Sequence, residues 1–452
     1  MNLRLKHALL AGAAVAVAGT AHGQATAQAA DSDVLSARIE ALEAALAELK
    51  AELAETRTRS DDTVQRLEAR VDATETAQAT RAAEEAAPAK GFQVGDTTVR
   101  VGGFVDLDLH VTELSDGSIG ANSIARDFYI PPVTPVGGEK TQATDLTAEA
   151  SRFFFSANRN TGGRNVAAHI ELDFLGSMQG DQRVSNSFSP RLRRAYLDVD
   201  GLRVGQDWST FQNTSAIPES ASFLVLSDGM VFERQPMVRY TTGPWQFAIE
   251  NGNSTVTALS GGRVEADSNL LPDLVARYNM TGDFGNVSFA ALGRQLRIDE
   301  MAGIAGEEET YGWGLSTAGR VKLGEKDDIR FNLTAGEGLG RYMGLNTINA
   351  AAVNPDTGSL DAITSYGGLI AWRHPFGDTA RFNVGYSGLF ADNPDYAAPA
   401  STKQVQSAYS ALLWDVAPAV TMGAEVLYGI RELESGDDGS ITRFTFSTKY
   451  AF

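Results

Sequence analysis

The sequence predicts an all-β transmembrane barrel of 16 antiparallel strands, preceded by an N-terminal α-helical coiled coil. Three observations lead to this fold class. The chain of 452 residues begins with an export signal, continues with a heptad repeat, and then alternates apolar and polar residues from position 98 to its end. Alternation with period two is typical of strands that have one apolar and one polar face.

The first 23 residues have the order of a secretory signal peptide. Arg4 and Lys6 form a basic start, residues 8–18 are apolar, and residues 21–23 form a small-x-small cleavage site. Residues 27–29 form a second such site, so cleavage after residue 23 or after residue 29 stays open. No later apolar run reaches the roughly 18 residues of a membrane-spanning helix, which excludes helical membrane spans. The segment therefore predicts export.

Residues 31–87 predict a coiled-coil stalk. This stretch is rich in Ala, Glu, Leu and Arg and contains no Gly or Pro. Its apolar residues follow the four-three spacing of heptad a and d positions, at Leu35, Ile39, Leu42, Leu46, Leu49 and Leu53. One helix alone cannot bury such a seam, so we expect copies of the chain to associate. A single amphipathic helix packed on the barrel is the alternative, and residues 88–97 are expected to be a linker.

Residues 98–452 are predicted to form the barrel. In the first segment, 98–112, a valine- and leucine-rich face alternates with a face that carries Asp106, Asp108 and His110. Seven short turns interleave with eight long connections, which gives 16 strands. Strands of about 9 to 13 residues, with short turns at one end and long loops at the other, favour an outer-membrane barrel over a soluble β-sandwich.

The last strand, residues 443–452, alternates and ends in the aromatic residue Phe452. Together with the export signal, this strand resembles the recognition signal of the outer-membrane barrel assembly machinery. We therefore expect that machinery as a partner and the outer membrane of a Gram-negative bacterium as the location, with the coiled coil in the periplasm. Outer-membrane lipid and lipopolysaccharide would surround the barrel.

Charge and composition exclude several classes of function. The net charge of −19 argues against binding of nucleic acid, which needs clustered Lys and Arg. The chain has no Cys, and its five His do not show the spacing of metal ligands. No catalytic constellation emerges, so we expect no enzyme activity, no cofactor and no metal.

A barrel of this size leaves a lumen too wide for side chains to fill, so one connection is expected to fold inward and narrow it. The third long connection, residues 209–235, is the best candidate, and it carries Glu219, Asp228 and Glu233. The alternative is an outward loop that contacts a neighbouring subunit.

Arginines on the strands that border this connection are expected to bind small anions, because a guanidinium is permanently charged and can bind a carboxylate through two parallel hydrogen bonds. Period two puts Arg193 and Arg194 on opposite faces, so at most one enters the lumen unless a bulge intervenes. Pairing of the arginines with Asp198, Asp200 or Glu233 is the alternative. The expected pore-lining and solute-binding residues are Arg152, Arg194, Arg203, Arg234, Arg239, Arg277 and Asp207.

Four motifs carry a family resemblance: Phe104–Asp106, Arg152–Phe155, Arg194–Leu197 and Val204–Phe211. With the export signal, the heptad stalk and the 16 strands, they resemble the DcaP-like family of trimeric outer-membrane transporters. The resemblance implies a homotrimer, uptake of dicarboxylates and related small acids, and arginines that line the constriction. The family's Gln-x-Trp is present with Asp207 as its central residue, and this negative charge counts against a preference for anions.

Three hypotheses of function follow. The first is an outer-membrane porin for diffusion of small hydrophilic solutes, with some preference for small carboxylates or dicarboxylates. The second is a structural envelope anchor, in which the stalk reaches toward peptidoglycan. The third is a general porin that is non-selective or weakly cation-selective.

Overall fold

The computed structural model describes residues 91–176, 185–266, 268–304 and 306–452. The predicted signal peptide (1–23) and coiled-coil stalk (31–87) lie outside these residues and stay predictions.

The described residues form strands of 3 to 18 residues, separated by tight turns and longer connections. In chain order the strands are β1 (Phe92–Val94), β2 (Thr97–Leu114), β3 (Thr141–Thr147), β4 (Arg152–Thr161), β5 (Arg164–Asp173), β6 (Arg191–Val199), β7 (Leu202–Trp208), β8 (Arg234–Thr242), β9 (Trp245–Glu250), β10 (Ser254–Thr257), β11 (Arg263–Ala266), β12 (Asp273–Gly282), β13 (Gly285–Ile298), β14 (Glu308–Leu323), β15 (Asp327–Glu337), β16 (Ala351–Val353), β17 (Leu360–Ala362), β18 (Thr364–Phe376), β19 (Ala380–Asp392), β20 (Thr402–Ala417), β21 (Val420–Leu433) and β22 (Asp438–Ala451).

The barrel is closed by pairing of its first and last strands. Each barrel strand pairs antiparallel with its neighbours, and β22 returns to β2 with a register that runs from Phe104↔Ala451 to Leu114↔Ile441. The strands β3 and β4 are two halves of one barrel strand, because β3 pairs with the end of β2 and β4 with its beginning. Counted in this way the barrel has 16 strands, which confirms the predicted number. Closure leaves no strand edge exposed to lipid.

The alternating residues take the two faces that the period-two pattern predicts. In β2, Val101, Val105 and Leu107 are exposed on the outer surface, whereas Asp106 and Asp108 are buried inside. Successive side chains of a strand point to opposite faces, so every barrel strand divides its residues between lipid and lumen.

Seven tight turns alternate with longer connections, as predicted. The turn between β6 and β7 consists of Asp200 and Gly201 with φ values of 51° and 88°. Positive φ at both central residues is typical of a type I′ turn, whose twist matches that of the flanking strands, and it suits an Asp-Gly pair. At the N-terminal end, strand β1 lies inside the range 88–97 that the sequence predicted as a linker, and it pairs with the start of β2.

Three of the longer connections enter the barrel. They are loop 1 (115–140), loop 3 (209–233) and loop 6 (338–363), which follow β2, β7 and β15. Residues 216–235 are buried without interruption, so the predicted inward course of the third connection is confirmed. Phe128 of loop 1 packs on Phe223 of loop 3 with ring centroids 5.1 Å apart, and loop 6 adds Met343, which pairs with Val231. The sequence did not predict that loops 1 and 6 would join loop 3.

Part of loop 6 and the connection between β9 and β12 together form a small separate sheet. Its strand order is β11-β10-β16-β17, and the central pair, β10 and β16, is parallel. It buries a compact apolar cluster that includes Val256, Leu296 and Val353. The helical segments of the described residues are short 3-10 turns at Ile124–Arg126, Pro131–Val133, Thr214–Ala216, Glu300–Ala302 and Gly340–Tyr342. In the ranges that the structure describes, no helix has the length and apolar character needed to span a membrane.

Candidate functional site

Loop 3 is fastened to the inner wall of the barrel by charged groups. The Glu219 carboxylate accepts hydrogen bonds from Arg373 Nε (3.1 Å) and Arg381 Nε (2.8 Å) of β18 and β19. On β21, Glu425 accepts from the Ala221 amide (2.9 Å) and from Ser222 Oγ (2.5 Å). These contacts hold the loop against strands β18–β21, on the side opposite to the end of β7 where it begins.

Burial shifts the pKa of two carboxyl groups in the inward loops. Burial raises the pKa of Asp228 in loop 3, whose Oδ1 accepts a hydrogen bond from Ser407 Oγ at 2.5 Å. Burial also raises the pKa of Asp127 in loop 1 to about 7. Removal of a carboxylate from water disfavours its charged form, so both groups keep a proton at higher pH than a solvated aspartate does.

The central feature of the lumen is one carboxylate held by three arginines. Asp207 is 1% exposed. It accepts hydrogen bonds from Arg194 Nε at 2.7 Å, Arg203 Nη1 at 2.5 Å and Arg239 Nη2 at 2.5 Å. All four residues were predicted from the sequence as pore-lining, and the structure brings them together on β6, β7 and β8. We call this set the Asp207 cluster.

The strand register explains why the cluster forms. Arg203 and Asp207 are four residues apart on β7, so they share one face of the strand. Arg239 lies directly opposite Arg203 on β8, and Arg194 reaches Asp207 from β6. The expected alternative, pairing with Asp198, also occurs, because Arg203 Nε donates to Asp198 at 3.1 Å.

A second group of charges lies beside the cluster on β4, β5 and β6. Glu171 forms ion pairs with Arg152 at 3.3 Å, with Arg193 at 2.8 Å and with Arg194 at 3.7 Å. Arg193 also pairs with Asp173 at 2.6 Å. A shift of register between Glu171 and Leu172 marks a β-bulge, which lets Arg193 and Arg194 both reach the acidic groups of β5. Sequence reasoning named the bulge as a condition and had no signal to place it.

The two remaining predicted arginines lie where loop 3 begins and ends. Arg277 of β12 donates to the main-chain oxygen of Gln212 in loop 3. Arg234 is at the start of β8, with its guanidinium over the Trp208 ring, 5.4 Å from the centroid. These contacts join loop 3 to the arginine-bearing wall. That the arginines contact a solute stays a prediction.

A row of flat side chains runs along the same wall and was not predicted. Phe154 stacks with His169 at 5.5 Å, His169 stacks with Tyr196 at 5.3 Å, and Arg203 lies over the Tyr196 ring at 3.9 Å. The four residues lie on the neighbouring strands β4 to β7. The contact with Tyr196 fixes the direction of Arg203, since a guanidinium is attracted to the face of an aromatic ring. The period-two pattern places each of these side chains on the inner face. The register between neighbouring strands, which the sequence pattern does not give, places them next to one another.

Among the residues that the structure describes, no group of three or more His, Asp and Glu side chains is arranged to hold a metal ion. Many charged residues of the inner wall form ion pairs that hold strands and loops together, and arginines outnumber carboxylates in the Asp207 cluster. The arrangement can therefore attract and orient charged solutes electrostatically.

A closed barrel of 16 strands with an inward third loop and a charged inner wall defines the class of outer-membrane channels and porins. The sequence profile of the family described as "DcaP outer membrane protein" matches residues 94–452. The chain belongs to this family, and it is an outer-membrane protein.

Solved structures agree with this class. The outer membrane channel DcaP of Acinetobacter baumannii is similar with a TM-score of 0.66 and 22% identity, over 80% of this chain and 99% of that chain. An anion-selective porin from Comamonas acidovorans is similar with a TM-score of 0.50 and 11% identity, over 79% of this chain and 100% of that chain. At these identities the likeness shows the fold, and the relatives are channels and porins rather than enzymes. No curated protein sequence matches the chain.

Proposed function

We propose that the protein is a porin through which small hydrophilic solutes diffuse, with a preference for small carboxylates. The observation that carries the proposal is the Asp207 cluster, in which three guanidinium groups converge on one carboxylate. A site built to hold the carboxylate of Asp207 has the geometry that holds the carboxylate of a solute. Charge-assisted bonds of this kind are about twice as strong as neutral ones.

The net charge of the inner wall around the Asp207 cluster also favours small anions. The Asp207 cluster has three arginines for one aspartate, and Arg277 beside it contacts a main-chain oxygen of loop 3. Asp207, Asp198 and Glu171 lower the positive charge of this wall, but the arginines that contact them outnumber them. A positive wall in a water-filled lumen raises the local concentration of small anions.

Planar bilayers containing the purified protein test the proposal. We expect steady ion conductance and a reversal potential under a salt gradient that corresponds to anion preference, and we expect small dicarboxylates to reduce the chloride current. Absence of conductance would contradict the porin and favour the envelope anchor. Conductance with cation preference would favour the general, weakly cation-selective porin, for which the negative charge of Asp207 is the favouring observation.

The rest of the chain is assigned by the same proposal. Residues 1–23 would be the signal peptide, 31–87 a periplasmic stalk, 88–97 a linker and 98–452 the barrel, with three copies forming the functional unit. Phe452 would be recognised by the barrel assembly machinery, and lipopolysaccharide would surround the outer rim. Contact of the stalk with peptidoglycan belongs to the anchor hypothesis.

Deletion of residues 31–90 tests the role of the stalk. The heptad seam predicts that association of copies weakens when it is removed, because its a and d residues would bury one another only in the oligomer. We expect the deleted form to migrate as a folded monomer on unheated gels, with its barrel intact. Unchanged oligomers would show that the barrels alone hold the copies together.

A further inference from the structure

Loops 1 and 3 meet at a contact that is buried inside the barrel. Ser227 Oγ of loop 3 donates a hydrogen bond to the main-chain oxygen of Tyr129 in loop 1 at 3.0 Å. Asp228 follows Ser227 directly, and Asp127 lies two residues before Tyr129. Both aspartates are buried. Each loop therefore brings one carboxyl group to the place where the two loops touch. We call these four residues the loop junction.

Asp228 faces hydroxyl groups, and no described cation forms an ion pair with it. Its Oδ1 accepts a hydrogen bond from Ser407 Oγ at 2.5 Å, and Ser387 lies opposite Ser407 on β19. The phenol of Tyr129 faces it from loop 1, and beyond that ring Arg431 of β21 donates to main-chain oxygens of loop 1. Within the described part of the chain, Asp228 Oδ2 has no hydrogen-bond partner. An ionised Asp228 would be a buried charge without a counter-charge, which is costly.

Close backbone contacts surround Asp228 on both sides. A Cβ atom at Gly229 would lie 2.0 Å from the main-chain oxygen of Gly368 on β18. A Cβ atom at Gly344 of loop 6 would lie 3.0 Å from the main-chain oxygen of Asp228. Contacts this close leave little room for water beside the carboxyl group. The packed junction therefore suits the neutral, protonated form of Asp228 better than the ionised form.

Asp127 lies among more carboxyl groups than cations. Thr147 of β3 forms a hydrogen bond with its carboxyl group. The charged groups that face it from loop 1, β2, β3, the link between β3 and β4, and β22 are Arg126, Asp108, Asp145, Glu149 and Arg443. Two arginines thus face four carboxyl groups, counting Asp127 itself. Both arginines also serve other acceptors, since Arg126 pairs with Asp145 at 3.0 Å and Arg443 donates to the main-chain oxygen of Ala125 at 2.6 Å.

We propose that the loop junction is a proton-dependent latch, which holds loops 1 and 3 together while Asp127 and Asp228 are protonated and releases them when both groups ionise. Ionisation places an uncompensated charge at Asp228 and adds a further negative charge to the carboxyl groups around Asp127. Release exposes both carboxylates to water, which stabilises their charge. The inference rests on the proposed porin in one respect, because release would widen its pore.

The latch opens as the pH rises. Both carboxyl groups have a raised pKa in the packed junction and regain an ordinary pKa of about 4 once water reaches them. Such a group stabilises the packed form fully below the ordinary pKa and loses this contribution as the pH rises toward the raised pKa. For Asp127 the loss extends from about pH 4 to about pH 7, and each pH unit within this range shifts the equilibrium toward release by up to about tenfold.

A spin label on loop 1 measures release without reference to conductance. The chain has no Cys, so Asn122→Cys, at an exposed position of loop 1, provides a single labelling site. Between pH 5 and pH 8 we expect the mobile fraction of the label to rise about tenfold. Asp127→Asn and Asp228→Asn together remove both titrating groups and keep their shape, so we expect the mobile fraction to stay low at both pH values.

Two outcomes would overturn the latch. One is a mobile fraction that does not change with pH in the chain with both aspartates. The other is the same change with pH in the double variant. If the double variant fails to fold, each single variant decides, because each is expected to reduce the change with pH.

Asp437→Asn is the matched control. Asp437 is an exposed carboxyl group of the connection between β21 and β22, and we expect this variant to keep the full response to pH. In planar bilayers the conductance should be larger at pH 8 than at pH 5, and the double variant should lose the difference. A label that becomes mobile with rising pH in a protein that conducts no ions would contradict the porin and support the latch.

Discussion

Asp207→Asn is expected to shift the ion selectivity of the channel toward anions roughly tenfold. The substitution removes the one carboxylate that Arg194, Arg203 and Arg239 share and leaves an amide of the same shape. At a separation of about 8 Å and an effective dielectric constant of about 20, one unit charge changes the energy of a passing ion by about 2 kcal/mol, which salt then reduces. The reversal potential in planar bilayers under a salt gradient measures the shift.

Asp198→Asn is the matched control for this prediction. Asp198 contacts Arg203 alone of the three arginines and is more exposed than Asp207. We expect its removal to change the selectivity several-fold less, because a more exposed charge is screened by water and salt. Equal shifts for the two variants would mean that the overall charge of the lumen, rather than the Asp207 cluster, sets the selectivity. No shift for Asp207→Asn would remove the cluster from the pathway of the ions.

Glu219→Ala is expected to detach loop 3 from the inner wall. The Glu219 carboxylate is buried and receives hydrogen bonds from both Arg373 and Arg381. Loss of one partner of a buried ion pair costs about 3–5 kcal/mol, since it leaves charge behind without its counter-charge. Here Asp328 and Asp415 keep part of the arginine charge compensated, so we expect about 3 kcal/mol. Single-channel recordings should show larger and noisier currents, and protease should cut within residues 209–233.

Asp415→Ala separates loop attachment from loss of charge. Asp415 accepts a hydrogen bond from Arg381 at 3.2 Å, as Glu219 does, but it belongs to β20 rather than to loop 3. We expect this variant to keep the quiet currents and the protease resistance of the unmodified protein. If both variants loosen the loop equally, Arg381 rather than Glu219 is what holds it.

The strand number could be predicted from the sequence because two independent patterns agree on it. Alternation marks each strand, and seven tight turns such as Asp200-Gly201 mark where the chain reverses. Both patterns are local, so a single sequence contains them. The strand lengths were predicted less well: β7 and β9 are short because loop 3 leaves the wall early and β10 starts soon after β9.

The Asp207 cluster was predictable for the same reason, whereas the inward position of Arg193 was not. Period two fixes the inner face for Arg203, Asp207 and Arg239, and turn positions fix how their strands align. The inward position of Arg193 was not predicted because a bulge adds one residue to β6. One extra residue reverses which face of the sheet each later side chain of the strand points to. The inward paths of loops 1 and 6 were also not predicted, because they depend on contacts between residues far apart in the chain, such as Phe128 with Phe223.

The pairing of β2 with β22 closes the barrel, so the sheet is closed only when β22 is in place. Until residues 441–451 are synthesised and paired, the edge of β2 that binds β22 is unpaired, and the sheet has two exposed edges. A chain that lacks β22 therefore exposes the unpaired edges of β2 and β21. These free backbone N–H and C=O groups distinguish a barrel that lacks its last strand from a closed barrel.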